Sequence, residues 1–112
     1  EYLTRAFSNL IVNAIEAMGP SGTLSVSTRL TEGTLSVEIK DTGAGMDEET
    51  AGNIFIPYFT TKRKGSGLGL SIAHKIIEEH KGSIRFESTV GKGTTFIVSL
   101  PLTAPAVAES NV

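Results

Sequence analysis

Apolar residues near the start of the chain recur at spacings of three and four, which predicts an α-helix over residues 2–18. The apolar face consists of Leu3, Phe7, Leu10, Ile11, Ala14, Ile15 and Met18. A Gly-Pro-Ser-Gly run at residues 19–22 ends the helix, because glycine and proline both disfavour its continuation. The same spacing returns over residues 69–81 and predicts a second helix that stops at Gly82.

Two pairs of segments with alternating apolar and polar residues predict two β-hairpins. The predicted strands cover residues 24–30, 35–39, 83–88 and 95–100, with turns at 31–33 and 89–94. Strands joined in hairpins pair antiparallel. The order helix, hairpin, helix, hairpin therefore predicts an α+β two-layer sandwich, with a largely antiparallel sheet and the helices on one face.

Residues 41–67 follow neither periodicity and read as a long loop. They hold five glycines, at positions 43, 45, 52, 65 and 67, together with Pro57. The acidic residues at 47–49 suit the first turn of a short third helix. Loops of this length inside a compact domain are usually functional, which directs attention to this segment.

Length and composition narrow the classes of function. A chain of 112 residues is expected to form one domain, and we assign it to residues 1–101 with a flexible tail at 102–112. The absence of cysteine excludes thiol catalysis, disulfides and cysteine-based zinc sites. A net charge of −2 provides no basic field for nucleic acid, and no apolar run approaches the ~20 residues of a membrane-spanning helix. Because helical sequence starts directly at Glu1, we expect a fragment of a longer protein.

The first helix carries a polar stripe, Asn9, Asn13 and Glu16, nearly opposite its apolar face. One interpretation is a solvated helix surface. Asparagine is a weak helix former, however, so two asparagines within a helix call for another reason. Amide oxygens are hard ligands that suit Mg²⁺, which is commonly held by few protein groups together with phosphates and water.

The end of the second predicted strand carries Asp41, followed by Gly43 and Gly45. A carboxylate here can accept a hydrogen bond from an exocyclic amine such as that of adenine, and the glycines let the backbone approach a flat ligand. The alternative is an ordinary turn after a strand.

A glycine-rich segment runs from Gly65 directly into the second long helix, after the basic residues 62–64. Free N–H groups and the positive end of the helix dipole suit phosphate there, with cationic side chains nearby. The alternative is a flexible loop with solvated charges. At the last predicted turn, Thr94 follows residues 91–93; it could reach an adenine or a bound water, or belong to a plain hairpin turn.

Taken together, these four segments resemble the N, G1, G2 and G3 boxes of the GHKL ATPase superfamily. Residues 55–62, Phe-Ile-Pro-Tyr-Phe-Thr-Thr-Lys, resemble the F box of its histidine kinases, and this segment with the short lid is similar to nitrogen-regulation-type sensor kinases. The resemblance covers about residues 3 to 101. It implies a Bergerat-type sandwich, with a mostly antiparallel mixed sheet of four to five strands and about three helices on one face.

The resemblance also implies roles for individual residues. Asn13, with Asn9 beside it, would coordinate Mg²⁺, and Asp41 would bind the adenine amine. Asn13 and Lys62 would be the catalytic residues, and Phe55 and Phe59 would anchor the lid by packing. The implied nucleotide-binding set is Asn9, Asn13, Glu16, Asp41, Gly43, Gly45, Met46, Lys62, Gly65, Ser66, Gly67, Leu68, Gly69 and Thr94.

The chain departs from the hydrolysing members of the superfamily, which place a catalytic glutamate where Asn9 stands. It also lacks the phosphoacceptor motif of the kinases. His74 is expected on the solvated side of its helix and His80 in a partly buried, hydrogen-bonded position. We therefore expect the acceptor histidine to lie outside this chain.

The function that follows from the resemblance is the MgATP-binding catalytic domain of a two-component sensor histidine kinase. Such a domain transfers the γ-phosphoryl group to a histidine on a separate dimerisation domain, from which a response regulator later receives it. We expect a cytoplasmic domain with no nucleic-acid partner and no direct membrane contact. Two alternatives remain: a protein-serine kinase of the anti-sigma-factor type, and a domain that uses ATP only as a conformational ligand.

Overall fold

The computed structural model describes residues 2–57 and 68–102, and every predicted element within these ranges is present. The elements are α1 (Tyr2–Met18), β1 (Leu24–Thr31), β2 (Thr34–Asp41), α2 (Glu48–Ala51), α3 (Gly69–Glu79), β3 (Ser83–Thr89) and β4 (Gly93–Pro101). The ends differ by about two residues at most: α3 stops at Glu79, and β4 begins at Gly93 because the turn before it is tighter than predicted. Of the tail predicted at 102–112, residues 103–112 lie outside the described residues. The N–H of Leu102 donates to the carbonyl of Gly33 at 2.7 Å.

The sheet has the order β1-β2-β4-β3, so the last strand of the chain lies between β2 and β3. All three strand pairs are antiparallel. The α+β class is thus confirmed, and the four described strands contain no parallel pair of the kind a mixed sheet would have. No helix in the described part of the chain is long and apolar enough to cross a membrane.

One face of the sheet carries the core, and the two long helices cover it, with α1 against β2 and α3 against β3. The most deeply buried side chains are Leu10, Ile39, Ile77, Phe96 and Val98. Fully burying one such side chain contributes about 1.5–3 kcal/mol. Alternate residues of β2, such as Glu38 and Lys40, point to the exposed face. The core therefore fixes the strand register, because a slip of one residue would bury these charges.

The apolar residues of β1 alternate with polar ones, but unlike those of the other strands most of them are exposed. Val26 and Leu30 lie on the same side of the sheet as the core residue Ile39, yet they are 52% and 64% exposed. β1 is an edge strand with at most weak contacts to the helices, which the sequence pattern alone does not reveal.

The short helix α2 begins at Asp47, whose Oδ1 accepts a hydrogen bond of 2.8 Å from the N–H of Thr50. This backbone bond, followed by one with the Thr50 hydroxyl, lowers the pKa of Asp47 below its ordinary value of 3.8. A lowered pKa in the folded state means that the charged form stabilises the fold. The contribution is therefore complete above pH 3.8 and is lost as the pH falls through the lowered pKa.

We expect the carboxyl carbon of Asp47 to titrate below pH 3.8 in an NMR measurement, because Thr50 binds the charged form. The free energy of unfolding of wild type should exceed that of Asp47→Ala most at neutral pH, and the difference should shrink on acidification. Asp47→Asn, which keeps an acceptor oxygen without the charge, isolates the ionic part. A difference from Asp47→Ala that stays constant through acid pH would contradict this assignment.

Candidate functional site

Three polar residues form one row across the end of the sheet. Asp41 on β2 lies opposite Thr94 on β4, and Thr94 lies opposite Ser88 on β3. Residues opposite one another in antiparallel strands point to the same face. In β2 this face carries the core residue Ile39, two positions before Asp41. The row therefore places hydrogen-bonding groups at the edge of the apolar core, on the side of the helices.

The Asp41 carboxyl group is buried, with only 2% of the residue exposed. Its Oδ1 accepts hydrogen bonds from the N–H of Gly43 at 2.8 Å and from the N–H of Thr94 at 3.3 Å. Among residues 2–57 and 68–102, Oδ2 has no hydrogen-bond donor. A buried polar atom without a partner is costly, so this oxygen is the strongest indication of a ligand in the described structure.

The loop after β2 is held against protein backbone on two sides. The N–H of Ala44 donates to the carbonyl of Ala17 at the end of α1, at 3.3 Å, and the carbonyl of Ala44 accepts from Gly91 at 2.7 Å. A Cβ at Gly43 would lie 2.7 Å from the Ala17 oxygen, and one at Gly45, where φ is +73°, would collide with the Thr89 carbonyl. The sequence predicts that these glycines admit a flat ligand. The structure shows another reason for glycine at both positions. The loop packs so closely against α1 and the turn before β4 that a side chain would collide with their backbone.

The hydroxyl of Ser88 joins this loop to the row. It accepts from the N–H of Met46 at 2.8 Å, lies 2.7 Å from the Thr94 hydroxyl and donates to the carbonyl of Gly93 at 3.2 Å. Ser88 is not among the site residues that the sequence predicts. A signal was present, because Ser88 continues the inward-facing alternation of Ile84 and Phe86, where a polar residue is unexpected.

The asparagine stripe of α1 runs between the start of α3 and the loop after β2. The Asn9 amide donates from Nδ2 to the carbonyl of Gly69 at 3.1 Å. Asn13 lies one turn further along and is half-buried, and Ala17 follows after another turn, in contact with Ala44. Glu16 is exposed. The buried residues of α1 are Ala6, Leu10 and Ala14, so the stripe flanks the buried face instead of lying nearly opposite it as predicted. Asn9 contacts α3 rather than solvent alone.

The predicted phosphate loop is described only at its end. Lys62, Gly65, Ser66 and Gly67 lie outside the described residues. Leu68 precedes α3, and Gly69 is its first residue, so the N-terminus of α3 is next to Asn9. The N-terminus of this 11-residue helix, with the positive end of its dipole, lies where the sequence predicts phosphate binding.

A cleft of about 190 Å³ opens at the same end of the sheet. Its lining includes Asp41, Ser88 and Thr94 but also Lys40, Glu87 and Thr95, which point to the opposite face of the sheet, and it does not include Asn13. Ligand pockets usually measure about 300–1,000 Å³, so this cleft alone would not hold a nucleotide. The arrangement of Asn13 and Asp41 around one ligand therefore stays a prediction.

Phe55 packs at the start of the segment that resembles the F box. Its ring stacks on His74 with centroids 4.6 Å apart, and it meets Phe86 and Phe96 edge-on at 6.0 and 6.5 Å. The packing of Phe55 against the body of the domain is confirmed. Its anchoring of the lid stays a prediction, because Phe59 and the lid lie outside the described residues. His74 is not simply solvated, since Nε2 also lies 3.3 Å from Oε2 of Glu78.

His80 is exposed rather than partly buried, and its Nδ1 lies 2.8 Å from the carbonyl oxygen of Ile76. The predicted hydrogen bond is present, but burial was wrong because the residue follows the last turn of α3. The ring of His80 thus contacts a backbone carbonyl of the last turn of α3, where His80 is the C-terminal cap.

Comparison with known proteins matches residues 1–104 to the model of the family described as histidine kinase-, DNA gyrase B- and HSP90-like ATPases. The chain is 42% identical over 100 residues to the sensor histidine kinase ZraS of Escherichia coli K12, covering 89% of this chain and 22% of that protein. It is 44% identical over 100 residues to sporulation kinase C of Bacillus subtilis 168, covering 89% and 23%. The chain thus spans about a fifth of the length of these curated relatives.

Solved structures show the same fold. The nucleotide-free catalytic domain of the histidine kinase ThkA superposes with a TM-score of 0.79 at 39% identity, covering 89% of this chain and 66% of that one. A mycobacterial sensor histidine kinase, MprB, superposes with a TM-score of 0.80 at 28% identity, covering 89% and 70%. The α+β sandwich with its antiparallel sheet is therefore the fold of histidine kinase catalytic domains.

Proposed function

The chain belongs to the family of histidine kinase-, DNA gyrase B- and HSP90-like ATPases, and on that premise we propose that it binds MgATP and transfers the γ-phosphoryl group to a histidine on a separate dimerisation domain. The parent protein is then a two-component sensor kinase, whose acceptor histidine passes the group to an aspartate on a response regulator. The observation that carries the proposal is the buried Asp41 carboxyl group, which has one oxygen fixed by backbone N–H groups and the other without a donor in the described part of the chain.

Asp41 is the proposed adenine ligand. Its Oδ1 is held by the N–H groups of Gly43 and Thr94, so the orientation of the carboxyl group is set before a ligand arrives. Oδ2 would accept a hydrogen bond from the exocyclic amine of adenine. Gly43, Gly45 and Met46 would shape the pocket around the base through the loop that α1 and the turn before β4 hold in place.

Mg²⁺ would be held mainly by the triphosphate. Within residues 2–57 and 68–102 there is no group of three or more His, Cys, Asp or Glu side chains that could hold a metal ion. Mg²⁺ needs no such cluster, because it typically takes one or two protein oxygens and keeps phosphate and water ligands. Asn13 on the half-buried side of α1 would provide an amide oxygen, with Asn9 and Glu16 one turn away on either side. When bound, the ion neutralises charge on the phosphate oxygens.

The proposed transfer is a displacement at phosphorus. The acceptor imidazole nitrogen forms the N–P bond while the bond from the γ-phosphorus to its bridging oxygen breaks, and ADP leaves with the electron pair. Lys62 and the backbone N–H groups of residues 65–69 would bind the developing charge on the phosphoryl oxygens. Any base that takes the imidazole proton belongs to the acceptor domain. Because Asn9 stands where hydrolysing relatives have glutamate, and its amide bonds to Gly69, we expect little activation of water.

Asn13→Ala should weaken binding of MgATP by roughly ten-fold, the equivalent of about 1.4 kcal/mol, and leave metal-free ATP almost unaffected. The reason is that the amide oxygen contacts the nucleotide through the ion. Calorimetric titrations with magnesium and with EDTA measure the two affinities. Val12→Ala, an exposed site on the same helix, is the matched control. Equal losses with and without magnesium would count against the metal role.

The proposed reaction is tested by mixing the chain and MgATP with a phosphoacceptor helical hairpin. We expect acid-labile, alkali-stable phosphohistidine on the hairpin and none on the chain alone. Acid-stable phosphoserine would instead support a serine kinase. Tight ATP binding without any transfer would support a conformational switch, and phosphohistidine on the isolated chain would overturn the assignment of the acceptor.

A further inference from the structure

We propose that Ser88 is a positioning residue that makes the pocket select a purine bearing an amino group at position 6. It would act by fixing the direction of the Thr94 hydroxyl. This proposal rests on the nucleotide site proposed above. Ser88 is half-buried on β3 and lies opposite Thr94, which in turn lies opposite Asp41. It is separated from the proposed adenine ligand by one strand.

The hydroxyl of Ser88 makes three contacts, and one arrangement of protons satisfies all of them. A serine hydroxyl has one proton and two lone pairs. The N–H of Met46 can only donate, and the carbonyl of Gly93 can only accept. If Ser88 accepts from Met46 and gives its proton to Gly93, its second lone pair must accept from the Thr94 hydroxyl, 2.7 Å away.

This arrangement commits the proton of Thr94 to Ser88. The Thr94 Oγ1 atom then presents only its lone pair to the pocket. Its neighbour Asp41 presents Oδ2, which is also an acceptor and has no donor among the described residues. The end of the pocket is thus a pair of acceptors, both on residues that are 2% and 6% exposed.

A pair of buried acceptors discriminates between purines. A 6-aminopurine offers N–H donors at this edge, directly or through a water that it orients. A 6-oxopurine has a carbonyl oxygen at position 6, and this atom would face two acceptors without a donor of its own. An unpaired buried acceptor costs more than a good hydrogen bond contributes, so the discrimination is larger than one lost bond.

Ser88 would therefore influence a ligand that it does not touch. Without its hydroxyl, the proton of Thr94 is free to rotate into the pocket and to donate to the oxygen of a 6-oxopurine. Loss of the bond to Met46 would also loosen the loop after β2, but that effect weakens binding of both kinds of purine alike. The ratio of the two affinities separates the two consequences.

The test compares dissociation constants of ATP and ITP by calorimetry for wild type, Ser88→Ala, Thr94→Val and the double variant. We expect Ser88→Ala to reduce the preference for ATP over ITP by about ten-fold, the ratio that corresponds to one redirected hydrogen bond. In the Thr94→Val background, Ser88→Ala should change the ratio no further, because the hydroxyl through which it acts is absent. Ser88→Thr, which keeps a hydroxyl, should restore the preference.

Ser83→Ala, at an exposed site on the same strand, is the control and should behave as wild type. If Ser88→Ala folds poorly, Ser88→Cys keeps the side chain's size with a much weaker donor and acceptor, and should also reduce the preference. An unchanged ratio in variants that bind ATP would overturn the role of Ser88 and leave the proposed function standing. A ratio that Ser88→Ala still shifts in the Thr94→Val background would do the same. Wild type that binds neither nucleotide would overturn the proposed function and this role with it.

Discussion

Asp41→Asn is expected to weaken ATP binding by roughly ten- to a hundred-fold while leaving the fold intact. Hydrogen bonds to charged groups contribute about 1.5–3 kcal/mol, and each 1.4 kcal/mol is a factor of ten in affinity. The asparagine oxygen can replace Oδ1 and keep the bonds from Gly43 and Thr94. The amide nitrogen then replaces Oδ2 and places a donor against the donating amine of adenine.

This substitution is sharper than Asp41→Ala, which would also remove the acceptor that holds the loop after β2. Calorimetry with MgATP measures the loss, and the unfolding midpoint without nucleotide shows whether the fold is kept. Glu38→Gln makes the same chemical change on the exposed face of the same strand and should not alter affinity. Unchanged ATP binding by Asp41→Asn would exclude Asp41 as the adenine ligand.

Gly93→Ala is expected to destabilise the fold by roughly 2–5 kcal/mol, which is a large part of the ~5–15 kcal/mol of a typical domain. At Gly93 φ is +123°, a conformation that residues with a Cβ rarely adopt. A Cβ there would collide with the carbonyl oxygen of Asp41 and lie 3.0 Å from the Cα of Thr42. Both are backbone atoms of a strand end, so they cannot move aside as a side chain would.

Gly91→Ala, in the same turn, is the matched control. Its φ is +82°, but no atom lies within 4 Å of the position of a Cβ. It should lose only the cost of the backbone conformation, about 1–2 kcal/mol. Urea unfolding of the two variants separates crowding from backbone strain. Equal destabilisation would contradict the close packing of the turn against β2.

The sequence predicts the elements well because their patterns are local. The apolar spacing of α1 and the punctuation at Gly19 and Pro20 determine its bounds, which the structure confirms. The hairpin of β1 and β2 is equally local, since its residues pair across a two-residue turn. The insertion of β4 between β2 and β3 is not local, and the spacing of apolar residues is the same whichever strand lies next to β2.

In the candidate site, too, some residues can be recognised from local sequence and others only from their tertiary contacts. Asp41 and the glycines after it can be recognised from the sequence, because a carboxylate followed by glycines at a strand end is a local pattern. Ser88 does not, because its importance comes from facing Met46 and Thr94, which belong to other parts of the chain. The helical period places Asn9 on a polar stripe of α1, but its bond to Gly69 depends on how α3 packs against α1.

The row at the sheet end joins parts of the chain that are far apart in sequence. The hydrogen bond from Thr94 to Asp41 spans 53 positions, and that from Met46 to Ser88 spans 42. A nascent chain that has emerged only as far as β3 therefore lacks the completed row and with it the proposed adenine pocket. Nucleotide would recognise only the fully assembled domain, so by thermodynamic linkage it would raise global stability, by about 2.7 kcal/mol at a hundred times the dissociation constant. Cellular ATP would then act as a folding ligand that prolongs the lifetime of the domain, apart from any phosphate it donates.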